Sequence, residues 1–316
     1  MNRELYIKIA FWYYNLHLTQ DEIARRLNIT RQKVNQMINS MQEMGIVSIH
    51  INGYEQEYTA LENQLEEMFG LNEVIIASDY EQAEYTERRV ADIAGQYLDR
   101  TIKNGDVVGV SWGKLLAAVV DSMSYQRKNK CSVLQLVGAQ NMNMAGLKSD
   151  EIARGMANKL NCPSYMLYAP VVVEYPETKQ MLMKEKSIRM SFEQMANCTI
   201  GIFGIGELDQ NSTMRQIGYL SAEDIEHLRK DGFCADISMN PIRQDGSYDH
   251  CYLENRLLNA DMDCLKKIDN VIAVASGVHK AKAILAVLRS GCLNTLILDI
   301  KTAERVIALM GENERI

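Results

Sequence analysis

Along the first 40 residues of the chain, apolar positions recur only at helical spacing. Residues 4–17, "ELYIKIAFWYYNLH", place apolar side chains around most of a helix. Leu18 then leads into Thr19, and Thr19-Gln20-Asp21-Glu22 has the form of a capping box, in which Glu22 reaches back to the amide of the cap residue. A helix from Gln20 to Leu27 is predicted to stop at Asn28, which tolerates the left-handed conformation of a tight turn. Thr30 then caps a further helix, from Arg31 to about Glu43. Ile23, Ala24, Leu27, Ile29, Val34, Met37 and Ile38 form the inner face of this pair, with the small Ala24 where the two helices cross. That spacing is a helix-turn-helix. After Gly45, "IVSIHIN" alternates like a short strand, the expected wing of a winged helix-turn-helix. Residues 54–69, "YEQEYTALENQLEEMF", carry Leu61, Leu65 and Met68 at helical spacing and predict a connecting helix packed against its mate in a dimer.

Beyond Gly70 the pattern changes. Short apolar runs suited to strands (73–77, 107–110, 133–137, 164–167, 199–203, 271–275 and 295–298) alternate with amphipathic stretches (84–102, 150–160, 280–289 and 302–310). Repeated strand–helix alternation predicts an α/β domain with a mainly parallel sheet. The expected organisation is a DNA-binding domain over 1–52, a linker or dimerisation helix over 53–70, and an effector-binding and oligomerisation domain over 71–316.

Composition narrows the class. With 47% apolar and 24% charged residues the chain is ordinary for a globular protein, and its 316 residues suggest about two domains. No run approaches the ~18 apolar residues of a membrane span, and the N-terminal stretch has no small-residue cleavage site, so a cytoplasmic location without membrane contact is expected. Seven scattered cysteines and five scattered histidines form no C-x-x-C pair and no ligand spacing, which predicts reduced thiols, no metal and no cofactor. The net charge of −7 is unevenly distributed: residues 1–52 hold six Lys/Arg against four acids. A polyanion therefore has to meet the N-terminal part. There Thr30, Arg31, Gln32, Lys33, Asn35, Gln36 and Asn39 form the outward face of the second helix, the amide and guanidinium chemistry that reads base edges in a major groove.

Four glycine-bearing segments follow predicted strands: Gly109–Lys114 ("GVSWGK"), Gly138, Gly204-Ile205-Gly206, and Ala275–Lys280 ("ASGVHK"). In parallel α/β sheets ligands gather at such carboxyl ends, where backbone amides and a first-turn lysine can meet an anion. The first segment is not a nucleotide-hydrolysing P-loop. Only three residues separate Gly109 from Gly113, and Leu115 stands where a magnesium-binding hydroxyl belongs.

These motifs, in this order and spacing, resemble the SorC family of sugar-responsive bacterial transcription regulators, which includes deoxyribonucleoside-operon regulators. The most specific stretches are "YYNLHLTQDEIARRLNITRQKVNQMI" and "VASGVHKAKAILAVLRSGCLNTLILDIKTAERVI". The resemblance implies a helix-turn-helix joined to a Rossmann-like, sugar-phosphate-isomerase-like effector domain in a homo-oligomer, a dimer or tetramer. It further implies a repressor that binds operator double-stranded DNA under the control of a phosphorylated sugar. Carried over by position, Ser111, Gly113, Lys114, Gly138, Gly204 and Gly206 belong to ligand loops, Asp236 binds a sugar hydroxyl, and Ser276, Gly277 and Lys280 hold the phosphate. Val137 stands where family members that form a Schiff base carry lysine, which implies non-covalent binding. The competing reading is a sugar-phosphate isomerase or deaminase, with Glu207, Asp209 or Asp236 as general base. Such an enzyme has no use for residues 19–39, so no catalytic residue is assigned.

Overall fold

The computed structural model describes residues 3–44, 46–47, 56–139, 148–210 and 212–313. It divides into two compact units, Met1–Glu55 and Gln56–Ile316.

The N-terminal unit follows its capping chemistry. Thr19 accepts the Glu22 amide and Glu22 accepts the Thr19 amide, so both halves of the capping box form at the start of helix Gln20–Leu27. Asn28 ends that helix at φ 53°, ψ 43°, and the Thr30 hydroxyl accepts the Lys33 amide to start helix Arg31–Glu43. Ile23, Ala24, Val34, Met37, Ile38 and Met41 are buried together with Tyr6 and Ile9 of helix Arg3–Ala10. The first predicted helix differs in one respect: beyond Ala10 its aromatic run continues as a π-helical turn, Phe11–Asn15, which ends two residues short of the predicted stretch. The strand expected over 46–52 lies for the most part outside the described residues.

The larger unit is a three-layer α/β domain. Its strands are β1 (Glu73–Ala77), β2 (Val107–Val110), β3 (Ser132–Gln135), β4 (Ser164–Tyr165), β5 (Ile200–Glu207), β6 (Phe233–Ile237), β7 (Asn240–Arg243), β8 (Asn270–Val274) and β9 (Thr295–Asp299). Seven of them form a parallel sheet in the order β1-β9-β8-β5-β2-β3-β4, and β6 and β7 make an antiparallel hairpin on the end of β5. Successive strand residues point to opposite faces, and both faces are covered. Val271, Ala273, Leu296 and Leu298 pack with helices Ala281–Arg289 and Ile300–Asn313 on one side. Ile272, Val274 and Ile297 pack with helices Ala83–Thr101, Lys114–Ser122 and Ser149–Leu160 on the other. A smaller apolar cluster, including Leu208, Met214, Ile225, Leu228, Phe233 and Met239, lies beneath the hairpin.

The connecting helix, Gln56–Phe69, buries part of its predicted apolar face within its own chain and leaves Met68 exposed. Leu65 is fully buried in the sheet's own core, with Tyr58, Leu61 and Phe69 packed around it. Its carboxylates do a second job: Glu66 accepts the Val74 amide at 2.7 Å and Glu62 accepts the Ile76 amide at 2.8 Å. β1 is the edge strand, and these two side chains, one helical turn apart, satisfy outward amides that would otherwise invite pairing with another chain. Burial raises the Glu62 carboxyl above its ordinary range, against the pull of the Ile76 hydrogen bond. Leu65→Ala is expected to lower the unfolding free energy by about 2–5 kcal/mol, as for other large-to-small changes in a core. Because the contact is within one chain, the loss in a urea titration should be the same at low and high protein concentration.

Candidate functional site

The carboxyl ends of β2, β5 and β8 meet around a cavity of about 330 Å³. The chain leaves β2 toward β3 and β4, returns through β5 beside β2, and then runs the other way to β8 and β9. That reversal is a topological switch point, where adjacent loops diverge and leave a crevice.

Each wall has a local cause. After β2, Gly113 takes φ 134°, ψ 155° as the cap of helix Lys114–Ser122, a region of backbone space essentially confined to glycine. This sharp entry leaves Ser111 buried, places Trp112 partly against the smaller apolar cluster, and sets the exposed Lys114 at the cavity mouth, 3.8 Å from Glu87. The second wall comes from β5, whose last residues leave the parallel sheet to pair with the hairpin. Gly206 lies opposite Asp236 in that ladder, and a Cβ on Gly206 would collide with the Asp236 carboxylate.

The hairpin turn itself is a two-residue connection with φ 54° at Ser238 and φ 67° at Met239. Turns with two positive φ values favour Asn and Gly, so this one is held by its surroundings. Asp236 accepts the Met239 amide at 3.2 Å, and the buried amides of Asn240 and Asn259 both donate to the Ser238 carbonyl. Ser111 donates to Ser238 across the cavity floor, the oxygens 3.1 Å apart. Burial pushes the Asp236 carboxyl up to about 6, although the Met239 amide and the Lys280 charge both pull it down.

The fourth loop is braced by the chain beneath it. The Ser276 hydroxyl donates to Asp299 at 2.9 Å, and the Gly277 amide donates to Asp299 and to Thr302, each at 3.0 Å. Both donors are thus engaged beneath the loop, and Lys280 is the group this loop brings to the cavity as a cation. His279 stands 3.6 Å from Glu207, whose carboxyl is raised by burial against the pull of His279 and Lys280.

Of the positions singled out in the sequence, Ser111, Gly113, Lys114, Gly204, Gly206, Asp236, Ser276 and Lys280 line this cavity. Gly138 and Gly277 are not on its described lining. Gly138 donates its amide to Leu258 and is closed in by the Val171 backbone. Sequence reasoning missed Thr213, Gln216 and Ser238 on the wall and Asp299, which holds Ser276 and Gly277 from beneath. The first two lie in a polar run without periodicity. Asp299 ends a strand as an ordinary capping residue, and only its partners reveal more.

In the N-terminal unit, Thr30, Arg31, Gln32, Lys33, Asn35, Gln36 and Asn39 are all exposed along one face, while Val34, Met37 and Ile38 point inward. Among the described residues no His/Cys/Asp/Glu group is arranged to hold a metal, and no helix is long and apolar enough to cross a membrane.

The family model described as "Putative sugar-binding domain" matches residues 55–308, and one for a Crp-like helix-turn-helix domain matches residues 8–61. The chain belongs to the SorC family of sugar-binding transcription regulators. Among similar proteins, the deoxyribonucleoside regulator of Bacillus subtilis is 27% identical over 96% of this chain and 97% of its own length. A DeoR family transcriptional regulator from Listeria monocytogenes superimposes with a TM-score of 0.74 at 29% identity, covering 79% of this chain and 99% of that one. The full-length sorbitol operon regulator of Klebsiella pneumoniae shares the fold across 97% of this chain and 99% of its own, with a TM-score of 0.76 at 24% identity. In this SorC-family chain the helix-turn-helix and the large domain act as a DNA-binding transcription regulator, and the enzyme reading is set aside.

The raised Asp236 carboxyl has a consequence for stability. Its folded-state value lies above the unfolded one, so its contribution is fully present below about pH 4 and is lost as pH rises through 6. Asp236→Asn removes that dependence. The variant is expected to gain on the order of 3 kcal/mol over the wild type at pH 8 and nothing near pH 4, read from denaturant unfolding across this range. A gap that does not change with pH would contradict the assignment.

Proposed function

We propose that this regulator is a repressor of a sugar-utilisation operon whose operator affinity is set by a phosphorylated sugar in the cavity between β2, β5 and β8. The observation that carries the reading is the composition of that cavity. Lys114 and Lys280 supply cations, the amino end of helix Lys114–Ser122 opens onto it, and the buried Asp236 with Ser111 and Ser238 supplies a polar floor. An anionic group suits the lysine side. Hydroxyl groups suit the floor, because a buried carboxylate that binds a hydroxyl regains a partner it lost with water.

The engaged donors of Ser276 and Gly277 refine the phosphate assignment, leaving Lys280 as the charge and the other two as its support. On this reading the large domain is sugar-phosphate-isomerase-like in architecture, the helix-turn-helix is winged, and the protein works in the cytoplasm as a homo-oligomer, a dimer or a tetramer. Two helix-turn-helix units on one two-fold axis fit a palindromic operator. The face from Thr30 to Asn39 enters the major groove, with Gln36 and Asn39 toward base edges and Arg31 and Lys33 toward base edges or phosphates. The ligand shifts the switch only through unequal affinity for the DNA-competent and DNA-incompetent arrangements.

The test is titration of a fluorescent duplex covering the protein's own promoter at fixed salt, with and without a panel of sugar phosphates. One compound should shift the affinity at least about tenfold, a coupling of ~1.4 kcal/mol. Lys280→Ala should abolish that shift and leave operator binding intact. Gln36→Ala should weaken operator binding by about 1–3 kcal/mol and leave ligand affinity unchanged. A ligand response that survives Lys280→Ala would overturn the phosphate assignment.

A further inference from the structure

Asp299 is the last residue of β9, paired with Ala77 of the edge strand β1. Its carboxylate is buried and accepts hydrogen bonds in two directions. From the cavity side come the Ser276 hydroxyl and the Gly277 amide. From the other side come the Thr302 amide and hydroxyl, at 2.9 Å and 2.7–2.8 Å, which start helix Ile300–Asn313. One carboxylate therefore fastens the lysine-bearing loop to the amino end of a helix. Thr302 closes the triangle, since its hydroxyl also accepts the Gly277 amide.

Helix Ile300–Asn313 packs against the Val278–Lys280 turn at one end of this arrangement and against helix Gln56–Phe69 elsewhere along its length. Helix Gln56–Phe69 is the segment that follows the helix-turn-helix unit in the chain, and Glu62 and Glu66 clasp it to the outward amides of β1. Charge-assisted bonds of this kind are short and directional, and a buried carboxylate that loses one keeps its desolvation cost. Small displacements of the loop are thus passed on rather than absorbed, because packed elements with buried polar contacts shift between discrete arrangements.

We infer that Asp299 is the positioning residue through which the state of the Lys280 loop reaches helix Gln56–Phe69, with the Glu62/Glu66 clasp on β1 as the output contact. Asp299 touches no ligand in this scheme; it holds the loop that does. The inference rests on the cavity reading above for its input and goes beyond it by naming the route from that cavity to the DNA-binding end of the chain.

Hydrogen exchange on the full-length protein tests the route without any ligand. Exchange reports local opening segment by segment, so a change confined to coupled elements is separable from global loss of stability. Thr302→Val keeps the side-chain shape, leaves Asp299 in place and removes the hydroxyl that bridges it to Gly277. Asp299→Asn is the stronger perturbation. Either variant should speed exchange at Gly277 and also, by at least about fivefold, in helix Gln56–Phe69 and at Val74 and Ile76. Helix Ala222–Lys230, which lies in the other cluster, should be unchanged. Conversely, Glu62→Ala with Glu66→Ala should speed exchange at Gly277. Acceleration at Gly277 alone, or equal acceleration everywhere, would overturn the inference. In the operator titration, Thr302→Val should keep ligand affinity within about twofold but reduce the ligand-induced shift in operator affinity at least about threefold. If the wild type binds no operator, the regulator reading fails while the exchange result still decides the route.

Discussion

Strand β5 serves two sheets at once, and the rest of the site depends on this. Its first half is locked between β2 and β8 in the parallel sheet, and its last three residues pair with the antiparallel hairpin. A strand shared in this way cannot slide by one residue without turning Phe203 and Ile205 out of one core and Ile200 and Ile202 out of the other. Register is therefore fixed, and with it the placement of Gly206 opposite Asp236. The cavity exists because the chain reverses direction at this strand, and its acid wall exists because the hairpin closes over the strand's end.

The energetics of the cavity favour function over stability. Asp236 is buried with one amide and a neighbouring lysine for company, and the turn beyond it holds two non-glycine residues at positive φ. A buried acid with few partners and a strained turn each cost free energy, and such costs persist where the surrounding structure over-determines them. Here the surroundings are the amides of Asn240 and Asn259, which bind the carbonyls of the turn. The free-energy cost is concentrated at the floor of the cavity. Beneath the Lys280 loop, toward the β1 edge of the same sheet, Asp299 has four donors, and Glu62 and Glu66 close the strand edge.

The two units solve different problems with different materials. The N-terminal unit is small, and caps do much of the work there: a complete capping box at Thr19, a left-handed Asn28 and a Thr30 cap shape the turn between its helices. Its outward face is consequently free to be polar and basic in a chain whose total charge is negative. The larger unit is stabilised by two apolar layers on a sheet buried on both faces, so its loops can carry glycines, lysines and acids without endangering the fold.

Local rules made the helix-turn-helix legible in the sequence down to its caps, because capping and helical spacing act within a few residues. The parallel strands were legible for the same reason, as short apolar runs between amphipathic helices, and so were most of the glycine-bearing loops at their ends. Tertiary structure alone decided which loops meet. Gly138 reads in the sequence like the other loop glycines, yet the Val171 backbone claims its space, a contact between residues 33 positions apart. Leu61, Leu65 and Met68 show the spacing of a helix seam, and whether the partner is another helix or the sheet's own core depends on what β1 leaves open. The hold of Asp299 on the Lys280 loop appears only when β8 and β9 lie side by side, since hydrogen bonds between distant segments leave no period in the sequence.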